Sequence, residues 1–248
     1  MTSQFDTLSA TYEDFTATRF RTCLEIPSVR RALGDLGGAA VLDLGCGPGV
    51  YTRWVRRHGA ARATGLDVSG GMIGHARAQE AADPVGVDYV LGALPDHLVG
   101  TFDLVLGVYV LPYATTHAEL RQLCDTAAHA LGPGGRFVTL LIHPGFRPGA
   151  VSYAPYGFRL TAREPLGDGS PVTLNLCFQS HDETVTARFW TRATLEGTLR
   201  AAGFTCPRWT DPTVSEEGVA EHGEPYWRDY LTHPHMVITD CVKAGSST

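Results

Sequence analysis

The stretch Val41-Leu42-Asp43-Leu44-Gly45-Cys46-Gly47-Pro48-Gly49 runs an apolar segment into three glycines at i, i+2 and i+4. A strand that enters such a turn and continues as a helix brings backbone N–H groups and a helix N-terminus close to a ligand. Asp43 stands two residues before the first glycine, and Asp67 ends the next apolar run, 22 residues beyond Gly45. An acid at that distance is placed to accept hydrogen bonds from ribose hydroxyls. The dinucleotide fingerprint needs a further glycine at the helix start, where Val50 and Thr52 stand instead. Diphosphate binding is therefore disfavoured, and a nicotinamide dehydrogenase with it. No phosphate-cradling GxxxxGKS/T run occurs. Asp43 would repel a diphosphate and attract an ammonium group. A nucleoside with an amino-acid tail meets both conditions.

A sheet must hold these residues, and the pattern supplies one. Expected strands at 40–44, 61–66, 87–91, 102–106 and 136–142 alternate with helices at 50–58, 69–82 and 116–131, the second capped by Ser69. Gly132-Pro133-Gly134-Gly135 stops the last helix. Such alternation implies parallel strands and right-handed crossovers. An opening helix is expected over 11–32. Beyond His143 the pattern changes. Residues 144–171 are rich in Pro, Gly and Tyr and read as a lid or substrate loop. Segments 172–178 and 184–190 alternate with period two around a polar turn at 179–183, as in a hairpin. A helix over 191–202 closes at Gly203, strands follow at 204–209 and 236–243, and 244–248 reads as a frayed tail. The expected fold is one α/β domain with a Rossmann-like, seven-stranded, mostly parallel sheet and a final antiparallel strand. Residues 38–143 form its ligand-binding core, with 1–37, 144–190 and 210–235 as a cap.

Composition narrows the partners. The 248 residues carry a net charge of −6 without a Lys/Arg run, which argues against nucleic acid. No apolar stretch reaches 18 residues, so no membrane span is expected. The polar first ten residues lack the pattern of a secretion signal, and a cytoplasmic protein is expected. Cysteines at 23, 46, 124, 177, 206 and 241 have no metal-ligand spacing and read as reduced thiols. His233-Pro234-His235 has no third ligand nearby, so no metal is expected. The partner left is a small molecule, bound by a monomer or homodimer.

Together the glycine stretch, Gly65-Leu66-Asp67-Val68-Ser69-Gly70-Gly71-Met72, Thr101-Phe102-Asp103-Leu104-Val105 and Leu131-Gly132-Pro133-Gly134-Gly135-Arg136-Phe137 resemble the class I S-adenosylmethionine-dependent methyltransferases over about 38–143. That resemblance implies S-adenosyl-L-methionine as cofactor and S-adenosyl-L-homocysteine as product. It assigns Gly45, Gly47 and Gly49 to the methionine part and ribose, Asp67 to the ribose hydroxyls and Asp43 to the amino group. Val68, Met72, Ala93, Leu94 and Gly107 would complete the cofactor site, with Tyr12 folding over it. The family usually has Gly-Asp-Ala after its third strand, whereas Gly92-Ala93-Leu94 lacks the acid. Backbone groups of Ala93 and Leu94, or Asp96, would then meet adenine. Val110-Leu111-Pro112-Tyr113-Ala114 and Tyr226-Trp227-Arg228-Asp229-Tyr230-Leu231-Thr232-His233-Pro234 resemble toxoflavin-synthesis-type N-methyltransferases. This finer likeness implies methylation of a ring nitrogen of an aromatic heterocycle in natural-product (antibiotic) biosynthesis.

Methyl transfer from a sulfonium is an in-line displacement, governed by alignment and a dry pocket. A ring nitrogen or electron-rich ring carbon needs little help from a base. A phenol needs one, and His143, at the end of the fifth strand, is the candidate. Tyr12, Tyr113 and His143 are the catalytic candidates, and Arg19, Tyr113, Tyr153 and Tyr226 the expected acceptor contacts. The plainer alternative makes the aromatic residues core and Arg19 a solvated charge. Two competing functions remain in view: an O-methyltransferase with a His base, and a catalytically idle cofactor-binding regulator.

Overall fold

Five strands, β1 (Ala40–Leu44), β2 (Arg62–Asp67), β3 (Asp88–Leu91), β4 (Phe102–Val108) and β5 (Leu131–Ile142), carry the glycine turn and its acids. The structure is a computed structural model describing residues 8–179 and 181–245. The first seven residues of the expected cap and positions 246–248 of the expected tail lie outside the described residues. Beyond β5 come β6 (Phe158–Ala162), β7 (Pro171–Phe178) and β8 (His181–Arg188), then β9 (Arg208–Thr210) and β10 (Met236–Val242). The main sheet has the order β3-β2-β1-β4-β5-β10-β9, with β10 antiparallel to β5 and to β9. The expected seven-stranded, mostly parallel sheet is thus present. Its helices are α1 (Ser9–Thr16), α2 (Ile26–Leu33), α3 (Val50–Arg57), α4 (Gly70–Ala82), α5 (His117–Ala130), α6 (Arg192–Ala201), α7 (Glu216–His222) and α8 (Glu224–Thr232). Among the described residues no helix is long and apolar enough to cross a membrane.

Period-two alternation buries both faces of the sheet. Val41, Leu104, Leu106, Val138, Leu140 and Ile238 enter one core, and Leu42, Leu44, Val105, Phe137, Leu141 and Val237 enter the other. Asp43 shares the Val41 face, so a carboxylate stands in an otherwise apolar row. Ser69, Thr116 and Thr191 cap α4, α5 and α6 by accepting from the N–H three residues on. Each such cap contributes about 1 kcal/mol.

Four local departures from the sequence pattern have physical causes. The expected helix 11–32 is two helices, joined through a break at Ala17–Thr18 and a π-helical turn over Arg21–Glu25. Threonine hydroxyls compete for the helix carbonyls there: Thr18 Oγ1 donates to Phe15 O at 2.7 Å and Thr22 Oγ1 to Thr18 O at 3.2 Å. The hairpin turn is tighter than 179–183, because Cys177 pairs with Asp182 and Phe178 with His181 in the ladder. Gln179 adopts a left-handed φ of 51° to allow it. The segment 144–171 is not all loop, since β6 within it pairs with β7 and makes a second, three-stranded sheet. Strand 204–209 shortens to Arg208–Thr210, as Pro207 has no N–H for a ladder. In the expected tail, Ala244 N–H still donates to Gly203 O at 2.8 Å.

Candidate active site

The turn after β1 is built from left-handed backbone at Gly45 (φ 70°), Gly47 (φ 53°) and Gly49 (φ 84°). A Cβ on Gly45 would lie 2.7 Å from Val110 Cγ2, so this position excludes any side chain for steric as well as conformational reasons. Gly45 N–H donates to Leu66 O at 2.8 Å and Gly47 N–H to Asp67 Oδ2 at 2.8 Å. Asp67 Oδ1 accepts from Ser69 N–H at 2.8 Å. The two strand ends are thereby locked together, with the Asp67 carboxylate held in one orientation.

Asp43 is 2% exposed and accepts from Thr52 Oγ1 at 2.7 Å. Burial, reinforced by the charge of Asp67 and opposed by the Thr52 hydrogen bond, pushes its pKa up to about 7. A buried carboxylate in this setting favours a cationic neighbour or a proton. Burial also raises the Cys46 thiol, so Cys46 is a small turn-filling side chain rather than a thiolate nucleophile.

A cavity of about 720 Å³ opens at these strand ends. Its floor is Asp43–Pro48 with Asp67 and Val68; Met72, Ala93 and Leu94 border it. Val68 is 78% exposed, an apolar side chain with an open face turned to the cavity. Tyr12, Phe15 and Thr16 of α1 form one wall, and Tyr12 Oη lies 3.2 Å from Tyr113 Oη. Packed against α1, with Phe15 edge-on to Phe158 at 6.3 Å, a period-two row from the second sheet continues the lining: Phe158, Leu160, Leu174 and Leu176. The ladder register places Phe158 beside Leu176 and Leu160 beside Leu174. Such a slot accepts a flat apolar body.

Of the residues the sequence singles out, Tyr12, Asp43, Gly45, Gly47, Asp67, Val68, Met72, Ala93, Leu94 and Tyr113 line this one cavity. Other expected residues lie elsewhere. Gly49 packs beneath the turn, where a Cβ would strike the Tyr89 hydroxyl. Gly107 makes room for Val110, 2.9 Å from where its Cβ would be, and its O accepts from Thr139 Oγ1 at 2.6 Å. Asp96 sits on an exposed one-turn helix off the cavity wall. His143 Nδ1 accepts from Gly145 N–H at 2.8 Å, while its Nε2 lies 3.4 Å from Asp211. Its ring serves its own turn rather than the cavity. Arg19 pairs with Glu221 at 2.7 Å on the surface. Tyr153 donates to His233 O at 2.8 Å and Tyr226 to Pro155 O at 2.8 Å. Both belong to an aromatic cluster in which Tyr153 stacks on Phe158 at 5.4 Å and Tyr226 meets Trp227 edge-on at 4.7 Å.

The structure adds residues that sequence reasoning passed over: Arg21, Glu25, Tyr51, Tyr109 and His235 all line the cavity. Arg21 Nε approaches Glu25 Oε1 to 2.7 Å, both side chains being almost wholly buried. Charges four apart beside the apolar Phe20, Cys23 and Leu24 were the signal. Tyr109 has a left-handed φ of 57°, which turns its hydroxyl toward His235 Nε2 at 3.2 Å. His235 Nδ1 meets Tyr230 Oη at 3.0 Å. Burial, with His143 adding to it, pushes the His235 pKa down to about 3. His235 is thus a neutral imidazole held between two phenols.

Residues 41–135 match the methyltransferase domain family. The ubiquinone biosynthesis O-methyltransferase of Xylella fastidiosa strain 9a5c is 33% identical over 111 residues, 44% of each chain. Its counterpart in Rhizobium leguminosarum is 31% identical over 140 residues, 55% of this chain and 54% of its own. The chain spans about half the length of the curated relatives it matches. Among solved structures, an S-adenosylmethionine-dependent methyltransferase from Mesorhizobium loti is similar with a TM-score of 0.63 at 23% identity, covering 92% of this chain and 99% of its own. The CcbJ methyltransferase from Streptomyces caelestis gives 0.65 at 17% identity, over 98% and 99%. The [4+2]-cyclase SpnF gives 0.61 at 18% identity, over 99% and 97%. At such identities these structures share the fold.

Proposed function

We propose, from the match of residues 41–135 to the methyltransferase domain family, that this protein transfers a methyl group from S-adenosyl-L-methionine to a ring nitrogen of a flat aromatic heterocycle, or to an electron-rich ring carbon. One observation carries the reading: Asp43 and Asp67, on neighbouring strand ends, border a cavity whose only Arg or Lys among the described residues is Arg21. Four carboxylates, those of Glu25, Asp43, Asp67 and Glu119, and one cation do not suit a diphosphate. They do suit a ligand with one ammonium, one carboxylate and a ribose.

When bound, S-adenosyl-L-methionine supplies an electrophilic methyl group, with S-adenosyl-L-homocysteine as product. Asp43 offers its buried carboxylate to the ammonium, and Arg21 its guanidinium to the carboxylate. Asp67 accepts from the ribose hydroxyls. Gly45 and Gly47 let the backbone come close, and Val68, Met72, Ala93 and Leu94 offer an apolar slot to adenine. Tyr12, held by Tyr113, closes the site and excludes water. The segments around the core at 1–37, 144–190 and 210–235 are read as the cap that encloses the acceptor.

The choice of nucleophile rests on His235. With its pKa near 3, His235 has too little basicity to take a proton from a phenol at neutral pH. A nucleophile that needs no deprotonation fits the site better. The competing reading is O-methylation, favoured by the curated relatives, which are named as ubiquinone biosynthesis O-methyltransferases. Incubation with labelled S-adenosyl-L-methionine and a panel of N-heterocycles and phenols, with product mass spectrometry, separates the two. Products from phenols alone would overturn the first reading. Cofactor binding without any product would favour an idle binding protein.

A further inference from the structure

Glu25 is fully buried on the cavity wall, at the end of the π-helical turn that begins with Arg21. Such turns are rare and often mark functional positions. Its two oxygens differ. Oε1 accepts from Tyr51 Oη at 2.9 Å and lies 2.7 Å from Arg21 Nε. Oε2 is buried and has no hydrogen-bond partner among the described residues, and Arg21 Nε, though close to Oε1, is not aligned for a hydrogen bond. A buried carboxylate oxygen without a donor is costly to leave so.

The surrounding hydroxyls are committed elsewhere. Tyr12 is bonded to Tyr113 at 3.2 Å, while Tyr109 and Tyr230 hold His235 at 3.2 and 3.0 Å. Each of these tyrosines feels the Glu25 charge, which places them around it. If Arg21 also serves the carboxylate of the cofactor, two anions share one guanidinium. The pocket then gains a net demand for a donor or a positive charge.

We infer that Glu25 selects the methyl acceptor, its free Oε2 taking a hydrogen bond from an N–H on the edge of the heterocycle. This inference rests on the proposed function, in which the cap segment 1–37, Glu25 included, helps to enclose the acceptor. The favoured class is a flat heterocycle with an amidine-like edge: a ring N–H or amino group that is cationic or easily becomes so. A role confined to orienting Arg21 would alter cofactor affinity and leave acceptor preference untouched.

The test titrates the protein, saturated with S-adenosyl-L-homocysteine, with 2-aminobenzimidazole and with benzoxazole, which has a similar ring system but no N–H. The first should bind about tenfold tighter or more, the size of a hydrogen bond to a charged group. In Glu25→Gln that preference should fall below about threefold, with S-adenosyl-L-homocysteine affinity changed by less than about threefold. The wild-type comparison stands even if the variant does not fold. Equal binding of the two probes, no binding of 2-aminobenzimidazole, a preference that survives in the variant, or a loss confined to S-adenosyl-L-homocysteine affinity would each overturn the inference. Failure of S-adenosyl-L-homocysteine to bind the wild type would instead overturn the proposed function.

Discussion

The N–H of Gly47 donates to Asp67 Oδ2 at 2.8 Å, so the turn after β1 and the end of β2 are fastened to each other through the very carboxylate expected to meet ribose. With Ser69 N–H on the other oxygen, Asp67 needs no reorientation when a ligand arrives.

Asp67→Ala should weaken S-adenosyl-L-methionine binding by about 1.5–3 kcal/mol, the value of hydrogen bonds to a charged acceptor. Calorimetric titration measures it directly. An unchanged dissociation constant would move the ribose away from β2.

Asp43 gives the cofactor site a pH dependence. With its pKa pushed up to about 7, the ligand-free protein is substantially protonated there at pH 6.5. Affinity for the ammonium-bearing cofactor should therefore climb between pH 6 and 8, and binding at pH 6.5 should release a proton to buffer. Stability runs the other way. The unfolded carboxyl ionises near pH 3.9, so the folded state binds the extra proton between roughly pH 4 and 7. That contribution is complete below pH 4 and lost as pH rises toward 7. Asp43→Asn should flatten both trends, as titration in buffers of different ionisation enthalpy and urea unfolding across this range would reveal.

His235 gives stability a slope of opposite sign. Its folded pKa is about 3, against about 6.5 unfolded. Its contribution is whole above pH 6.5 and disappears as pH falls toward 3, on the order of 5 kcal/mol in all. His235→Gln should remove that acid sensitivity in urea unfolding at pH 4, 5 and 7. A rate profile with a His235 titration between pH 5 and 8 would contradict its burial.

Gly45→Ala should cost about 2–4 kcal/mol of folding stability, since it combines a left-handed backbone with a clash against Val110. Chemical denaturation reads this without any ligand. A variant as stable as wild type would mean the turn relaxes freely.

What the sequence disclosed and what it hid follow one division. Elements with strong periodicity and their own stop signals, such as β1, α4 with its Ser69 cap and β10, were legible because each is decided locally. The glycine turn and the two acids were legible for the same reason: their spacing is itself the geometry. The wall that β6 and β7 add to the cavity was not. Phe158 and Leu160 alternate over only five residues and gain meaning once β7 lies beside them. Tyr153, Tyr226 and His143 carry the right chemistry, yet backbone carbonyls, Asp211 and neighbouring rings claim them. Arg21 and Glu25 reach the cavity because threonine hydroxyls broke a helix that apolar spacing alone would continue.

The three-stranded sheet of β6, β7 and β8 has a ladder of its own, apart from the one that carries Asp43 and Asp67. Replacing the inward side chains at positions 158, 160, 174 and 176 would reshape one flank of the chamber while every main-chain bond under the other stays as it is. Evolution, or a designer, could thus swap the molecule that receives without retraining the machinery that gives.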